Sequence, residues 1–488
     1  MMHARADHAT QLTVLPSFID QAFSRAAGVR RSEGNAVRVL NDATENYPAW
    51  LDAIGAARRY IYFESYILRE DRSGSEFADA LIAKARDGVV VRLVYDWLGG
   101  IGKTSASFWR ALREAGVDVR PFNPFQPLRP FAWVHRDHRK SLVVDGEVAF
   151  VTGLCVGDEW VGDPARGIEP WRDTGVELRG PAVAQVEDAF ARIWSLTGDP
   201  IPAGERAEPT GQAVGDVALR VVASEPIRGA LLRFDQLLAS AARSTLWLTD
   251  AYFAGIPSHV EALRSAAIDG VDVRLLVPGS TDIPLMRAFS RAGYRPLLEA
   301  GVRVFEWNGP MIHAKTAVAD QQWARIGTSN LNMASWLGNY ELDVIVEDSR
   351  IASFMSEQYL ADLENATEIL LRERRRYPRR TSTALRTPGT IGSAGRAAAG
   401  ALRVGHTVTA AVTNQRVLGP PDAEIVAGAG VLLVGLGAAA LLWPWIVGIP
   451  AAVLAGWFGI ALFARGVRLW RSRRRQSQSL EPRRPQQP

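Results

Sequence analysis

Cysteine occurs once in this 488-residue chain, at Cys155, so no intramolecular disulfide forms and no thiolate cage can hold a metal. Histidine is scarce as well, seven in all. His3, His8, His135, His259 and His406 stand at no ligand spacing with carboxylates, so neither a metal site nor any other cofactor is expected. The opening MMHARADHATQLTV lacks the basic start and apolar run of a secretory signal and reads as uncleaved. Charge is absent from Ile425 to Ala464, and lysine is absent from Arg372 onward. What remains is globular in character: 47% hydrophobic and 22% charged residues exclude both a disordered chain and a multi-span membrane protein. The length calls for at least two domains.

Charge is unevenly spread. From Arg372 there are 18 Arg and four acids, which gives that segment +14 of the chain's net +4 and leaves −10 on residues 1–371. The uncharged run 425–464 is broken by Trp443-Pro444-Trp445. Each half would reach about 27 to 29 Å as a helix, enough for a membrane hairpin with the indoles at the far interface. Arginines on both sides put the two ends, and the globular body with them, on the cytoplasmic side of the membrane. RERRRYPRR, Arg372–Arg380, is placed to meet an anionic membrane surface.

The body contains an internal repeat. YIYFESYIL from Tyr60 corresponds to LWLTDAYF from Leu246, with Glu64 matching Asp250 and Tyr66 matching Tyr252. DGVVVRLVYD from Asp87 matches DGVDVRLLVP from Asp269, and EAGVDVRPFN from Glu114 matches EAGVRVFEWN from Glu299. Short runs rich in β-branched and aromatic residues alternate with helical stretches such as Phe77 to Ala85 and Val260 to Ala267, which predicts an α/β unit with a parallel or mixed sheet, present twice. The expected order is an N-terminal extension 1–35, a first domain 36–197, a linker 198–215, a second domain 216–371, a basic juxtamembrane linker 372–424, two transmembrane segments 425–464 and a basic cytoplasmic tail 465–488.

Each half ends in the same polar pattern. His138, Lys140 and Asp145 in the first correspond to His313, Lys315 and Asp320 in the second, at identical spacing. The pairs are expected on the strands SLVVD and TAVAD, where residues two apart share a face, so histidine and lysine point together. Asp145 and Asp320 lie at an odd offset and are expected to brace loops, although they belong to the motif. Fifteen positions after each lysine stand Cys155 and Asn330, the latter in Gly327-Thr328-Ser329-Asn330, whose hydroxyl and amide groups could hold anionic oxygens.

The doubled His-x-Lys-x4-Asp-x6-Gly-Ser/Thr-x-Asn pattern resembles the phospholipase D superfamily over roughly Val37 to Glu347. The resemblance implies two tandem phospholipase D-like α/β/α sandwich repeats related by a pseudo-two-fold, with the C-terminal transmembrane hairpin outside them. It also implies a covalent phospho-histidine mechanism, in which His138 is the nucleophile and His313 the general acid and base. Lys140, Lys315, Thr328 and Asn330 would hold phosphate oxygens. Asp173, in Trp171-Arg172-Asp173-Thr174, and Glu341 would orient the two histidines. The first copy departs from the pattern, with Thr152 and Cys155 where the family has Gly and Asn; Cys155 reads as a small buried residue.

YFESYIL near Glu64, Phe122-Asn123-Pro124, His135-Arg136-Asp137 and WRDTGVELRGPAV from Trp171 resemble the bacterial cardiolipin synthase branch. That resemblance implies phosphatidyl transfer to phosphatidylglycerol, with phosphatidylglycerol or phosphatidylethanolamine as donor. Hydrolytic phospholipase D, a nuclease of the same superfamily and a non-enzymatic scaffold are the alternatives. The acidic body disfavours a nucleic-acid track, so no nucleic-acid partner is expected.

Overall fold

The computed structural model describes residues 20–126, 134–207 and 212–371, with isolated helical positions between 449 and 463. The account below concerns the larger of two compact units, which takes in the chain from the first strand to the last apart from Phe125–Val134. The first seven strands are β1 (Ser32–Asn41), β2 (Tyr60–Ser65), β3 (Val90–Asp96), β4 (Asp118–Phe122), β5 (Ser141–Val144), β6 (Val148–Thr152) and β7 (Thr174–Arg179). The remainder are β8 (Val217–Ser224), β9 (Thr245–Thr249), β10 (Asp272–Pro278), β11 (Arg303–Trp307), β12 (Thr316–Ala319), β13 (Trp323–Gly327), β14 (Glu341–Glu347) and β15 (Ala366–Ile369).

They join in one order, β15-β11-β10-β9-β12-β13-β14-β8-β1-β7-β6-β5-β2-β3-β4. The recurring sequence stretches fall on β2, β3 and β4 and on β9, β10 and β11, and within each trio the strands are parallel. The hairpins β5–β6 and β12–β13 and their neighbours β7 and β14 pair antiparallel, which makes the fold mixed α/β. Helices cross between the parallel strands. Arg72–Arg86 starts where the Asp71 carboxylate accepts the Gly74 N–H at 2.9 Å, and Ala106–Glu114 where Ser105 accepts from Phe108 at 3.2 Å.

The core explains where the halves meet. Val143, Ala149, Val151, Val176 and Leu178 of the first half and Val318, Ala324, Ile326, Leu342, Val344 and Val346 of the second belong to one buried cluster. Helix Ala182–Thr197 fills it with Val183, Val186, Phe190 and Trp194, and helix Ser349–Glu364 with Ala352 and Met355. Each Val, Leu, Ile, Phe or Met among them contributes about 1.5–3 kcal/mol when fully buried, and because one cluster draws on both halves, they share a core and are not free modules. Separate clusters lie on the outer face of each half.

Two expectations need correction. Residues 20–35 of the supposed extension are integral: β1 begins at Ser32 and pairs with both β7 and β8. Phe23 is buried in the second half's outer core, with its ring centroid 4.5 Å from Trp323 and 5.0 Å from Phe234. The linker also packs, since Glu205 accepts from Tyr62 at 2.8 Å and grips the Arg92 guanidinium. Among the described residues no helix is long and apolar enough to cross a membrane. The expected hairpin, 425–464, lies almost wholly outside the described residues, as do segment 372–424 and tail 465–488.

Candidate active site

His138 and Lys140 precede β5, and His313 and Lys315 precede β12, so the pairs sit on extended lead-ins and not within the strands as expected. The cause is a pair of bridges between the halves. His138 N–H donates to Tyr340 O at 2.9 Å and Tyr340 N–H to Arg136 O at 2.8 Å; His313 N–H donates to Arg172 O at 2.7 Å and Arg172 N–H to Met311 O at 2.9 Å. Each histidine segment thus lies parallel to the residue that immediately precedes a carboxylate of the opposite half.

That pairing crosses the carboxylates over. Glu341, from the second half, meets His138 of the first: Nδ1 lies 3.1 and 3.0 Å from Oε1 and Oε2. Asp173, from the first half, meets His313 of the second, with Oδ2 2.7 Å from Nδ1. Each carboxylate thus serves the histidine of the half it does not belong to. With Nδ1–H donated to the carboxylate, Nε2 of each ring is left for chemistry.

The lysines reinforce this arrangement. Lys140 Nζ donates to His138 O at 2.6 Å and lies 5.4 Å from the centroid of the Tyr66 ring. Lys315 Nζ donates to His313 O and lies 2.9 Å from His313 Nδ1, whose proton goes to the closer Asp173 oxygen. Aromatic rings wall the imidazoles: Tyr66 packs edge-on against His138 at 5.1 Å, and Tyr252 and Trp160 against His313 at 5.8 and 5.7 Å. Tyr66 and Tyr252 were matched in the repeat, which was the available signal for their place; nothing local marked Trp160.

Thr328 does not face outward to a phosphate. Its hydroxyl donates to Glu341 Oε2 at 2.6 Å and accepts Leu342 N–H at 2.9 Å, so it steadies the carboxylate that holds His138. The matching position in the first copy is Gly153, packed so closely that a Cβ there would come 2.1 Å from Asp173 Oδ1. Asp173 is instead steadied by Trp160 Nε1 at 3.2 Å and Thr174 N–H at 2.9 Å. Asn330 is buried, its N–H on Ser335 Oγ at 3.1 Å and its side-chain Oδ1 without a protein partner. Cys155 is buried too, and burial pushes its thiol up, away from reactivity.

Asp145 and Asp320, counted with the catalytic motif by their spacing, are not part of the cleft. Both sit in hairpin turns with left-handed backbone, φ 56° and 51°. Asp145 accepts three backbone N–H groups, from Arg58, Arg59 and Tyr60, at 2.8 to 2.9 Å; Asp320 does the same for Arg243, Ser244 and Thr245. They brace the loops that lead into β2 and β9, as the odd offset implied.

Arg139, between His138 and Lys140, faces the other way. Its guanidinium donates to Glu341 O at 3.1 Å, Ala189 O at 2.8 Å and Ser224 O at 3.2 Å, fastening the first motif to both halves. Arg172 does comparable work beside Asp173, reaching Asp42 and Asp362.

Electrostatically the imidazoles resist protonation. Burial, with Lys315 adding to it against the pull of Asp173, lowers His313 to about 4. Burial lowers His138 as well, with Glu341 opposing and Lys140 assisting. Lys315 is lowered to about 8, chiefly by burial. For Asp173 and Glu341 burial works upward but is outweighed by the histidine and lysine beside each, so both stay below the usual carboxylate range. In the free enzyme both imidazoles are neutral at neutral pH, flanked by two lysines and two carboxylates.

The chain is similar to proteins of known family. Residues 50–194 and 235–363 match the family described as cardiolipin synthase, PLD-like domain. The cardiolipin synthase of Alkalihalophilus pseudofirmus is 36% identical over 344 residues, spanning 69% of this chain and 68% of the relative. That of Halalkalibacterium halodurans is 35% identical over 339 residues, 68% of this chain and 67% of the relative. The crystal structure of phosphatidylserine synthase from Haemophilus influenzae Rd KW20 shares the fold, with a TM-score of 0.58 at 14% identity over 74% of this chain and 94% of that one. Fold and motifs together define an enzyme of the phospholipase D superfamily. Within it the chain belongs to the cardiolipin synthase, PLD-like family of phosphatidyltransferases.

Proposed function

We propose that this enzyme moves a phosphatidyl group to phosphatidylglycerol, making cardiolipin, and that the two halves are tandem copies of one phospholipase D-like unit whose pseudo-two-fold passes between the histidines. The observation that carries the reading is the crossed arrangement, in which each histidine is held by a carboxylate from the other half and has a lysine two residues on. A phosphodiester anion repels nucleophiles, so cations and a proton donor must be supplied where the charge develops.

His138 Nε2 attacks phosphorus and the donor's P–O bond breaks; His313 Nε2–H gives its proton to the departing alkoxide, which leaves as glycerol when phosphatidylglycerol is the donor. His313 then takes the hydroxyl proton of a second phosphatidylglycerol, whose oxygen attacks phosphorus and expels His138. Lys140 and Lys315 hold the non-bridging oxygens, and Asn330 assists. An acid with a pKa of about 4 carries little proton at neutral pH. The anionic phosphate, bound beside His313, raises its proton affinity and so charges the acid only when substrate is present. Phosphatidylethanolamine is the second candidate donor, and hydrolysis to phosphatidic acid the second reading, since only the acceptor differs.

The lipid substrate fits an inner-membrane enzyme with catalytic domains on the cytoplasmic side, anchored through 425–464 and drawn to anionic lipid by the arginines around that segment. The −10 charge of residues 1–371 speaks against nucleic acid. The deciding experiment incubates purified enzyme with phosphatidylglycerol, with and without phosphatidylethanolamine, and resolves products by mass spectrometry beside His138→Ala and His313→Ala. Cardiolipin and glycerol, lost in both variants, are the expected result; phosphatidic acid alone overturns transfer in favour of hydrolysis.

A further inference from the structure

Behind the first motif lies a pair of buried acids that the transfer mechanism does not use. Glu64, at the end of β2, and Asp137, the residue before His138, are both fully buried. The two carboxyl groups are direct electrostatic neighbours. Glu64 Oε2 accepts from Ser141 Oγ at 2.8 Å, and Asp137 Oδ1 accepts Arg139 N–H at 3.4 Å. The remaining oxygens, Glu64 Oε1 and Asp137 Oδ2, have no protein donor. Two ionised carboxylates cannot satisfy one another, whereas one acid and one carboxylate can. The second half has no such pair: Asp250 matches Glu64 but accepts the N–H groups of Leu331 at 2.8 Å and Tyr252 at 3.1 Å, and the place of Asp137 is taken by Ile312.

We infer that Glu64 and Asp137 share a single proton in the working enzyme, and that this proton sets the charge on which the first motif's phosphate site depends. The charged groups facing the pair are Arg139, Lys140 and Asp96. Asp96 is matched by Arg136, in contact at 3.0 Å. Sharing a proton, the pair carries one negative charge, which balances Arg139 and leaves Lys140 with Glu341 as its carboxylate neighbour. Losing that proton adds a second negative charge beside Lys140, which weakens its hold on a phosphodiester, and sets two carboxylates against each other next to the His138 segment. The pair is a positioning and charge-setting device for the first motif alone, and it places an alkaline limit on activity. Burial and mutual repulsion both push Asp137 up, against the pull of Arg139, and so favour keeping the shared proton.

The test uses Glu64→Gln, which keeps the charge at one and supplies a permanent donor to Asp137, against Glu64→Ala, which leaves Asp137 without one. Infrared difference spectroscopy of the full-length protein should show a neutral carboxylic acid carbonyl band that disappears in Glu64→Gln. This readout needs no substrate, so it stands apart from the proposed transfer reaction, on which only the kinetic part rests. In phosphatidyl transfer, Glu64→Gln should stay within about twofold of the parent at neutral pH and extend activity to higher pH, while Glu64→Ala loses about tenfold or more in kcat. Thermal melting of both variants separates this from loss of fold. The inference is overturned if the parent shows no acid band that Glu64→Gln removes, or if the alkaline limb is the same in parent and Glu64→Gln.

Discussion

The crossed carboxylates make a prediction that separates the two histidines. Glu341→Gln keeps the side chain's length but removes the charge that His138 Nδ1, Thr328 Oγ1 and Asn339 Nδ2 share at 3.0, 2.6 and 3.3 Å. A buried hydrogen bond to a charged group contributes about 1.5–3 kcal/mol, and loss of the partner that orients a functional histidine costs about 10- to 100-fold in function. At about 1.4 kcal/mol per tenfold, the two scales agree. Since Glu341 holds His138, its loss should slow formation of the phospho-enzyme by that factor with every donor, including one with an aryl oxide leaving group. Asp173→Asn acts on His313, whose proton an aryl oxide does not need, so its defect of similar size should appear with lipid donors and shrink below about threefold with the aryl donor. Rapid-quench measurement of phospho-histidine against turnover, with both donor types, reads both steps. Equal leaving-group dependence in the two variants, or a pattern with the roles exchanged, refutes the assignment of His138 as nucleophile and His313 as acid.

Other consequences concern stability and metal ions. Asp145→Ala and Asp320→Ala each strand three backbone donors and should destabilise the protein by about 1–3 kcal/mol in thermal or denaturant unfolding, while kcat/KM of the folded fraction stays within about twofold. Because His313 is lowered from an ordinary 6.5 to about 4, the unfolded chain binds its proton first. Its contribution, about 3 kcal/mol, is present above pH 6.5 and lost as pH falls toward 4, so the melting temperature should drop across that window and drop less in His313→Asn. His259, buried against Trp336 at 4.8 Å with neither ring nitrogen bonded and its pKa lowered to about 3, adds to the same acid sensitivity. His259→Phe should raise the melting temperature at pH 5 more than at pH 8. A strong chelator should leave the transfer rate unchanged, as the reaction drawn here takes its cations from Lys140 and Lys315.

How much of this could be read from the chain depends on the distance over which each feature is encoded. Alternating β-branched runs, the three recurring stretches and the doubled histidine and lysine spacing are local patterns, and local patterns report strand periodicity and residue chemistry directly. They were enough to give the α/β class, the family and the four groups proposed to meet the phosphate. They also gave the place of Asp145 and Asp320 in bracing turns, because an odd offset along an extended segment turns a side chain away. The partner each carboxylate takes is another matter. Asp173 lies 140 residues from His313 and Glu341 lies 203 from His138, and no spacing rule reaches that far. Both pairings exist because the His138 and His313 lead-ins hydrogen-bond across the halves to Tyr340 and Arg172, which delivers the next residue's carboxylate to the opposite imidazole. Thr328 turns from the phosphate to Glu341, and Glu64 meets Asp137, for the same reason: burial favours a partner for each polar atom, and packing alone decides which one is near.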